Sequence, residues 1–596
     1  MNARMIGVAA PLILAVFAAV ACVDDRDGFV SEGPRDFGGD AGSDAPAASL
    51  CPFQCSLDGR SIVRACTGEV VEQCPPELAC GEARCQAPCA AAAADARSDG
   101  CEFYFQAPRF KRNLRQSCFA MFVVNTSIQA VDLSLDIDGA SLDISKSVYR
   151  TTAGDATLIP HSGSLASGES AILFVSDQDP SKPTTGNGAA CPYGVVPATY
   201  QDDLPNGTGY APAFHLKSNV PVAVTSMYPF GGAISHFPTA SLLLPVATWS
   251  KEHILINGWE TGYSGEPAAQ IVASEDDTEV TITPTRDIQD GSGVVGALAG
   301  TPASYRLAKG QLLQITQSEE LSGSIVSSTK PTTIFGGHSA ADIPTTGGTA
   351  DVLAQQIPGF DRWGSEYVGV GYRPRLGNEH ELVGYRIVAA RDGTRLEYDP
   401  QIPAGAPVTM SAGEVAMFAH GTGNAFVVRT QDAEHPIYVS AHMSGQRQGF
   451  EGPAGGDTSF AQRGDPEFVN VIPTSQYLSS YSFYADPTYG DSSLVVVRAK
   501  SGGQFKDVWL ECAGNLTGFR PIGTRGDYEY VRVDLSRDDG PGDKFGDGVC
   551  QTGRHRMRSE GPFTATLWGW DYCASYAYPG GTAQRKLVET PLVPVN

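Results

Sequence analysis

The sequence predicts an all-β protein, an array of about four β-sandwich-like modules preceded by a small disulfide-rich module. Three observations carry this prediction. The first is a repeat: Ile271, Val272, Ala273, Thr278 and Pro284 recur at one fixed offset as Ile387, Val388, Ala389, Thr394 and Pro400. Aromatic pairs spaced i, i+4 follow the same rhythm, as Trp249 and His253, Trp363 and Tyr367, and Tyr477 and Tyr481. A fixed period marks one supersecondary unit built several times. The second is strand patterning. Val131, Leu133, Leu135 and Ile137 alternate with polar residues, as do Glu279–Ile282 and Gln311–Thr316, which is the period of a strand with one buried face. The third is composition. With 67 Gly, 40 Pro and only 18% charged residues among 596, the chain is turn-rich in the manner of β proteins.

Residues 1–21 read as an export signal. Arg4 supplies the positive start, Ile6–Val20 an apolar run, and Ala18, Ala19 and Ala21 the small residues before Cys22. Ala19–Cys22 resembles a bacterial lipobox, with Ala19 where Leu is usual, so Cys22 is the expected lipidation site and membrane anchor. Residues 22–50 hold almost no large apolar side chains and read as a flexible, lipid-anchored linker.

Residues 51–100 form the cysteine-rich module. Cys51, Cys55, Cys66, Cys74, Cys80, Cys85, Cys89 and Cys101 crowd a segment too short to bury a sufficient core, so in an exported chain they read as a disulfide framework. Zinc is the alternative for clustered thiolates, but no CxxC pair is present. Ala90–Ala94 read as a short spacer. Cys512, Cys550 and Cys573 fall in the last module, where two of the three are expected to pair. Cys118 and Cys191 stay unassigned, and the odd total leaves one thiol over.

From 101 to 590 the chain reads as repeat modules, approximately 101–240, 241–345, 346–460 and 461–590. In each, a strand is expected to begin just after a proline: Pro221, Pro331, Pro436 and Pro562. Glu275–Asp277, Arg391–Gly393 and Ser501–Gly503 mark turns, and the continuous apolar run Leu494–Val497 reads as a central strand. A period of about 110 residues suits a β-sandwich, whereas propeller blades, at ~40–50 residues, are shorter. The i, i+4 rings share one strand face and are expected to anchor neighbouring modules; a ligand-stacking platform is the alternative.

Net charge is −24. That disfavours nucleic acid, whose phosphates require Lys and Arg, and docking on anionic lipid. Gly337–Ala341 comes near the G-x-S-x-G elbow, but Ile343–Gly348 will not form the helix that must follow Ser339. His338 and His442 come from different modules and are expected to lie apart, and the ten histidines show no metal-ligand spacing. The sequence therefore points to no catalytic residue and no cofactor. Asp534, Asp538, Asp539, Asp543 and Asp547 crowd one glycine-rich loop; Asp538, Asp539, Asp543 and Asp547 are candidate calcium ligands, without EF-hand spacing.

Seven stretches taken in order resemble a known family: Cys118–Asn125, Leu242–His253, Ala273–Ile282, Ser328–His338, Gln356–Tyr367, Ala485–Gly490 and Ser575–Gly580. Residues 101–590 resemble the IgGFc-binding protein N-terminal domain family, in particular its bacterial surface lipoprotein members, and the cysteine-rich segment resembles one that precedes this domain there. The resemblance implies an extracellular binding or adhesion role. It does not extend to antibody as the ligand. The expected protein is a tethered surface protein, at the bacterial envelope, that meets an extracellular protein or glycan. A structural matrix protein is the alternative, and a carbohydrate-active enzyme a more distant one.

Overall fold

The computed structural model describes residues 51–592 except 57, 112–114, 183–187, 346–348, 378–380, 451–459 and 461. The export signal, Cys22 and the linker lie outside the described residues. From Pro52 onward the chain forms one unit, almost entirely of antiparallel strands.

The cysteine-rich module is a three-stranded sheet of Phe53–Cys55, Ser61–Arg64 and Val70–Gln73, with a hairpin of Ala79–Gly81 and Arg84–Gln86. Its buried apolar core amounts to Ile62, Cys74 and Cys80, so crosslinks substitute for burial. Cys55 pairs with Cys80, Cys74 with Cys85 and Cys89 with Cys101; Cys51 and Cys66 are also disulfide-bonded. The alanine run is not a spacer. Pro88–Ala94 is a short helix with Pro88 in its first turn, the position where a missing N–H costs nothing. It lies so close to Gly81 that a Cβ there would stand 2.5 Å from the Ala91 backbone.

Four sets of strands then share one pairing scheme. In each, the second strand pairs with a long late strand beyond a proline, while the first and third pair with that long strand mainly before it. The long strands are Phe214–Tyr228, Ile325–Asp342 and Gly553–Asp571, with Phe426–Thr430 and Ile437–Met443 as a broken counterpart. Before the proline, Ile325–Ser328 pairs with Ser250–Ile254 and Thr278–Thr283; beyond it, Thr332–His338 pairs with Pro267–Ala273. Gly553–Asp571 does the same with Leu478–Ala485 and Val508–Leu510, then Asp491–Ala499. One bent strand thus serves two sheets of a sandwich.

This corrects the expectation that strands begin after the prolines. Pro221, Pro331 and Pro562 lie inside the long strands, at or beside register shifts in the ladder. A residue without an N–H is tolerated at such a bulge, where pairing is interrupted anyway. Only Pro436 immediately precedes its strand.

The i, i+4 pairs close over these bends. Trp249 Nε1 donates to Leu244 O at 3.0 Å and Trp363 Nε1 to Pro358 O at 3.1 Å, equivalent bonds in successive repeats. Tyr367 OH donates to Ile437 O and Tyr481 OH to Phe563 O, each the carbonyl of the residue after the proline. Gly364 N and Leu478 N donate back to those hydroxyls at 3.0 Å. His253 Nε2 reaches Thr332 Oγ1, again the residue after a proline, at 3.2 Å. The rings are core, and their polar tips satisfy backbone groups that the bulge leaves without ladder partners. Tyr481→Phe should therefore cost ~1–3 kcal/mol, because it strands a buried N–H and C=O; chemical denaturation of the variant measures this.

The repeated Thr has a matching role. Thr278 Oγ1 donates to Glu275 O and Thr394 Oγ1 to Arg391 O, both at 2.7 Å, and the turns pass through positive φ at Asp277 and Gly393. Gln311–Thr316 departs from the expected alternation: Leu312, Leu313, Gln314 and Ile315 are all buried. Leu312 packs with the preceding set of strands and Leu313 and Ile315 with their own, so both faces are covered.

The sets close on one another. The last strands of the four, Thr239–Leu242, Ala350–Ile357, Glu467–Asn470 and Ala574–Pro579, pack each against the next and the fourth against the first. At their centre Gln355 Nε2 donates to Ala240 O, Phe468 O and Ala577 O at 2.6–3.0 Å, one carbonyl from each of the other three. Phe122 of the first set packs on Tyr484 of the last. Ser98 N donates to Thr582 O and Gln584 N to Ala96 O, which joins the two ends of the ring. A linear array would leave its terminal faces open; here apolar cores occupy the seams.

Candidate functional site

A groove of about 670 Å³ lies where the cysteine-rich module meets the first and last strand sets. Strand alternation places Arg554, Arg556 and Arg558 on one face of the long strand Gly553–Asp571. Arg556 and Arg558 are exposed there, while His555 and Met557 point into the core. Beside them stand Ser480 and Ser482 of the adjacent strand, and Trp509. The opposite wall brings Asp58 and Arg60 from the cysteine-rich sheet and Asp95, Arg97 and Asp99 from the segment after the helix.

The charges are partly committed. Arg97 Nε meets Asp99 Oδ1 at 3.1 Å, and its Nη2 donates to Ser480 Oγ at 3.2 Å. Arg554 and Arg556 share Glu511 at 3.0 and 2.8 Å; burial pushes that carboxyl up, but the two guanidinium groups outweigh it and hold it low. Burial raises Asp95 despite the bond it accepts from Glu82 N at 3.0 Å. Arg558 lies over the Trp509 ring at 4.7 Å; Arg60 N donates to Asp58 Oδ1 at 3.1 Å, and among the described residues neither its guanidinium nor that of Arg558 meets a carboxylate. In a chain of net charge −24, the Arg558 guanidinium over the indole, with that of Arg60 on the facing wall, makes a surface that can take hydrogen-bond acceptors and a flat apolar face together. None of these residues was singled out in the sequence. The available signal was the alternation Arg554, Arg556, Arg558 along one strand face.

The residues that were singled out serve structure. Ser339 is buried and its Oγ accepts from Glu266 N at 2.8 Å. His338 Nε2 contacts Glu260 O at 3.1 Å and its Nδ1 accepts from Ala340 N at 3.1 Å, while burial pushes its pKa down to about 3. His442 is held well below its usual range by burial, with Nε2 3.0 Å from Ser440 Oγ and its ring stacked on Phe468. The partners of His338 Nε2 and Nδ1 and of His442 Nε2 are Glu260 O, Ala340 N and Ser440 Oγ rather than Ser339, whose Oγ accepts from Glu266 N.

In the acidic loop, Asp538 pairs with Arg463 at 2.7 Å and Asp534 with Arg373 at 2.8 Å. Asp543 Oδ2 accepts from Asp534 N at 2.9 Å, Asp539 N donates to Gly490 O at 3.1 Å, and Asp547 lies in the turn between Lys544–Phe545 and Gly548–Val549. Among the described residues no three His, Cys, Asp or Glu side chains are grouped to hold a metal. Cys512 pairs with Cys550. Cys573, expected among the disulfide candidates, is a free thiol. It sits in the turn after Asp571 with positive φ, and Gln446 Nε2 approaches its sulfur at 3.0 Å. Cys118 and Cys191, both unassigned from the sequence, pair with each other.

A disulfide-reinforced β ring with a polar surface groove defines a binding-type protein of the kind found outside the cytoplasm. Among the described residues no helix is long and apolar enough to cross a membrane. The family model for IgGFc binding protein matches residues 239–569, more than half of the chain, and the chain belongs to that family. No curated protein matches it.

Proposed function

We propose that this chain is an exported, lipid-anchored surface protein that binds an extracellular protein or glycan, and that the ligand lies in the groove lined by Trp509 and Arg558. The single observation that supports this most is the groove itself, where an aromatic face and two guanidinium groups without carboxylate partners converge on an otherwise acidic molecule. Cys22 anchors the chain, residues 22–50 give it reach, and the ring presents the groove on a rigid frame. Binding rather than catalysis fits a site whose polar groups hydrogen-bond and stack but include no nucleophile paired with a base. The family name speaks of IgG Fc; for this chain Fc is one ligand among those to be tried.

The test is capture by the exported chain from native cell-surface and matrix material, with an IgG Fc arm, followed by mass spectrometry and sugar analysis. A discrete, saturable partner is expected, and Trp509→Ala with Arg558→Ala should weaken it on the order of 100-fold, as loss of aromatic and arginine anchors does. Recovery of neighbouring envelope components alone would replace this reading with that of a structural coat protein.

A further inference from the structure

The most anomalous chemistry lies at one end of the ring axis, away from the groove. Asp351, on the axial strand Ala350–Ile357, is fully buried, and neither of its carboxyl oxygens finds a protein donor. Asp465, just before the axial strand Glu467–Asn470, is 3% exposed and takes hydrogen bonds from the Thr349 hydroxyl and the Gln446 backbone N–H. Oε1 of the buried Gln446, like both oxygens of Asp351, finds no protein donor. Gln446 is oriented independently, because its amide nitrogen is taken by the Cys573 sulfur at 3.0 Å. Glu467 stands nearby with Oε1 accepting from Phe468 N at 2.8 Å and Thr239 Oγ1 at 3.1 Å, and Oε2 free.

These groups are neighbours. The strand Ala350–Ile357, which carries Asp351, packs on Glu467–Asn470, which follows Asp465, and Asp465, Glu467 and Cys573 all act electrostatically on Asp351. A Cβ on Gly445 would stand 2.3 Å from Thr349 Oγ1 and 3.4 Å from Asp465 Oδ1, so glycine alone leaves those oxygens accessible. Four buried acceptor oxygens with no protein donor, three of them on the carboxylates of Asp351 and Glu467, are costly as they stand. The cost falls if a positive charge sits among them.

We propose that the ring axis binds a hard divalent cation of the calcium class through Asp351 and Asp465, with Gln446 Oε1 and Thr349 Oγ1 as neutral ligands. Two carboxylates completed by amide, hydroxyl and water oxygens are a calcium ligand set. It is consistent with no three acidic, histidine or cysteine side chains being grouped. Softer metals are disfavoured: the Cys573 sulfur is kept in its thiol form by burial. Since Asp351 belongs to the second strand set and Asp465 to the third, the ion would tie two sectors of the ring together where their inner strands meet.

The experiment is calorimetric titration of the chelator-treated full exported chain with CaCl2 and, separately, MgCl2, with thermal unfolding in each. Roughly one Ca²⁺ per chain and a Tm that climbs with CaCl2 are expected. Asp351→Asn should weaken Ca²⁺ on the order of 10-fold or more while the cation-free variant unfolds at or above the wild-type Tm, since it sheds an unpaired charge. Asp538→Asn with Asp547→Asn should leave binding unchanged. Three results would overturn the proposal: no saturable Ca²⁺ binding by the folded chain, binding that survives Asp351→Asn, or binding lost with the Asp538 and Asp547 changes instead. A Tm that rises only on acidification, with no response to Ca²⁺, would likewise overturn it and assign the neutralising charge to protons.

Discussion

Replacing Arg375 with methionine is expected to lower stability by ~3–5 kcal/mol, the largest effect of any single substitution considered. Arg375 and Glu381 are buried to 0% and 2% side-chain exposure and meet at 2.7 Å. Glu381 also accepts from Arg375 N at 2.7 Å and from Tyr372 OH at 2.8 Å. The guanidinium spends its other hydrogens on Ser444 O, Ser444 Oγ and Arg463 O at 2.8–3.0 Å, and lies over the Phe460 ring at 3.7 Å. Removing the arginine leaves a carboxylate in the interior with no cation, and that uncompensated charge dominates the loss. The double change Arg375→Met with Glu381→Leu should recover most of it, because two apolar groups bury without the desolvation cost of either ion. Urea midpoints for the single and double variants decide the matter. Equal losses in both would mean that packing, not charge, governs the site.

Loss of the Cys118–Cys191 bond is expected to cost ~2–5 kcal/mol. The two cysteines are 73 residues apart in sequence, and crosslinks over long stretches restrict the unfolded chain most, in the entropic account. Cys118 is fully buried at the seam between the first and last strand sets, and its N donates to Ala189 O at 2.8 Å. Cys118→Ala with Cys191→Ala should therefore lower the unfolding midpoint and loosen the loop before Thr199, read as faster amide exchange there. The pair Cys512→Ala with Cys550→Ala, whose bond spans 38 residues, should cost somewhat less.

What could be read from the sequence was local or periodic. The two-residue alternation of Glu279–Ile282, the fixed offset from Thr278 to Thr394 and the crowding of eight cysteines between Cys51 and Cys101 each reflect contacts made nearby, or the same contact made again. The prolines were recognised as markers but misplaced by one step, because a proline at a bulge and a proline before a strand look alike until the partner strands are known. Ring closure was not legible. The bonds of Ala96 and Ser98 to Gln584 and Thr582 join segments almost the whole chain apart, and no local pattern announces them. The groove failed to show for the same reason, since Arg60, Arg97, Trp509 and Arg558 come from three separated stretches. Cys573 was grouped with Cys512 and Cys550 by proximity in the chain; the fold turns it toward Gln446 instead.

The ring also changes how display works. A string of free modules would gain strength from several weak contacts. A closed ring holds each groove in a fixed position, so in the proposed reading affinity rests on what the Trp509 and Arg558 face can hold.

The most direct test of that claim is titration of the captured ligand against three forms of the full exported chain: wild type, Trp509→Ala with Arg558→Ala, and a control altered at His420, which lines a second crevice of about 360 Å³ with Tyr530. Saturable binding that the groove variant loses and the His420 variant keeps is the expected result. Binding untouched by the groove changes would contradict the account, and its loss in the His420 variant would move the site to the other crevice.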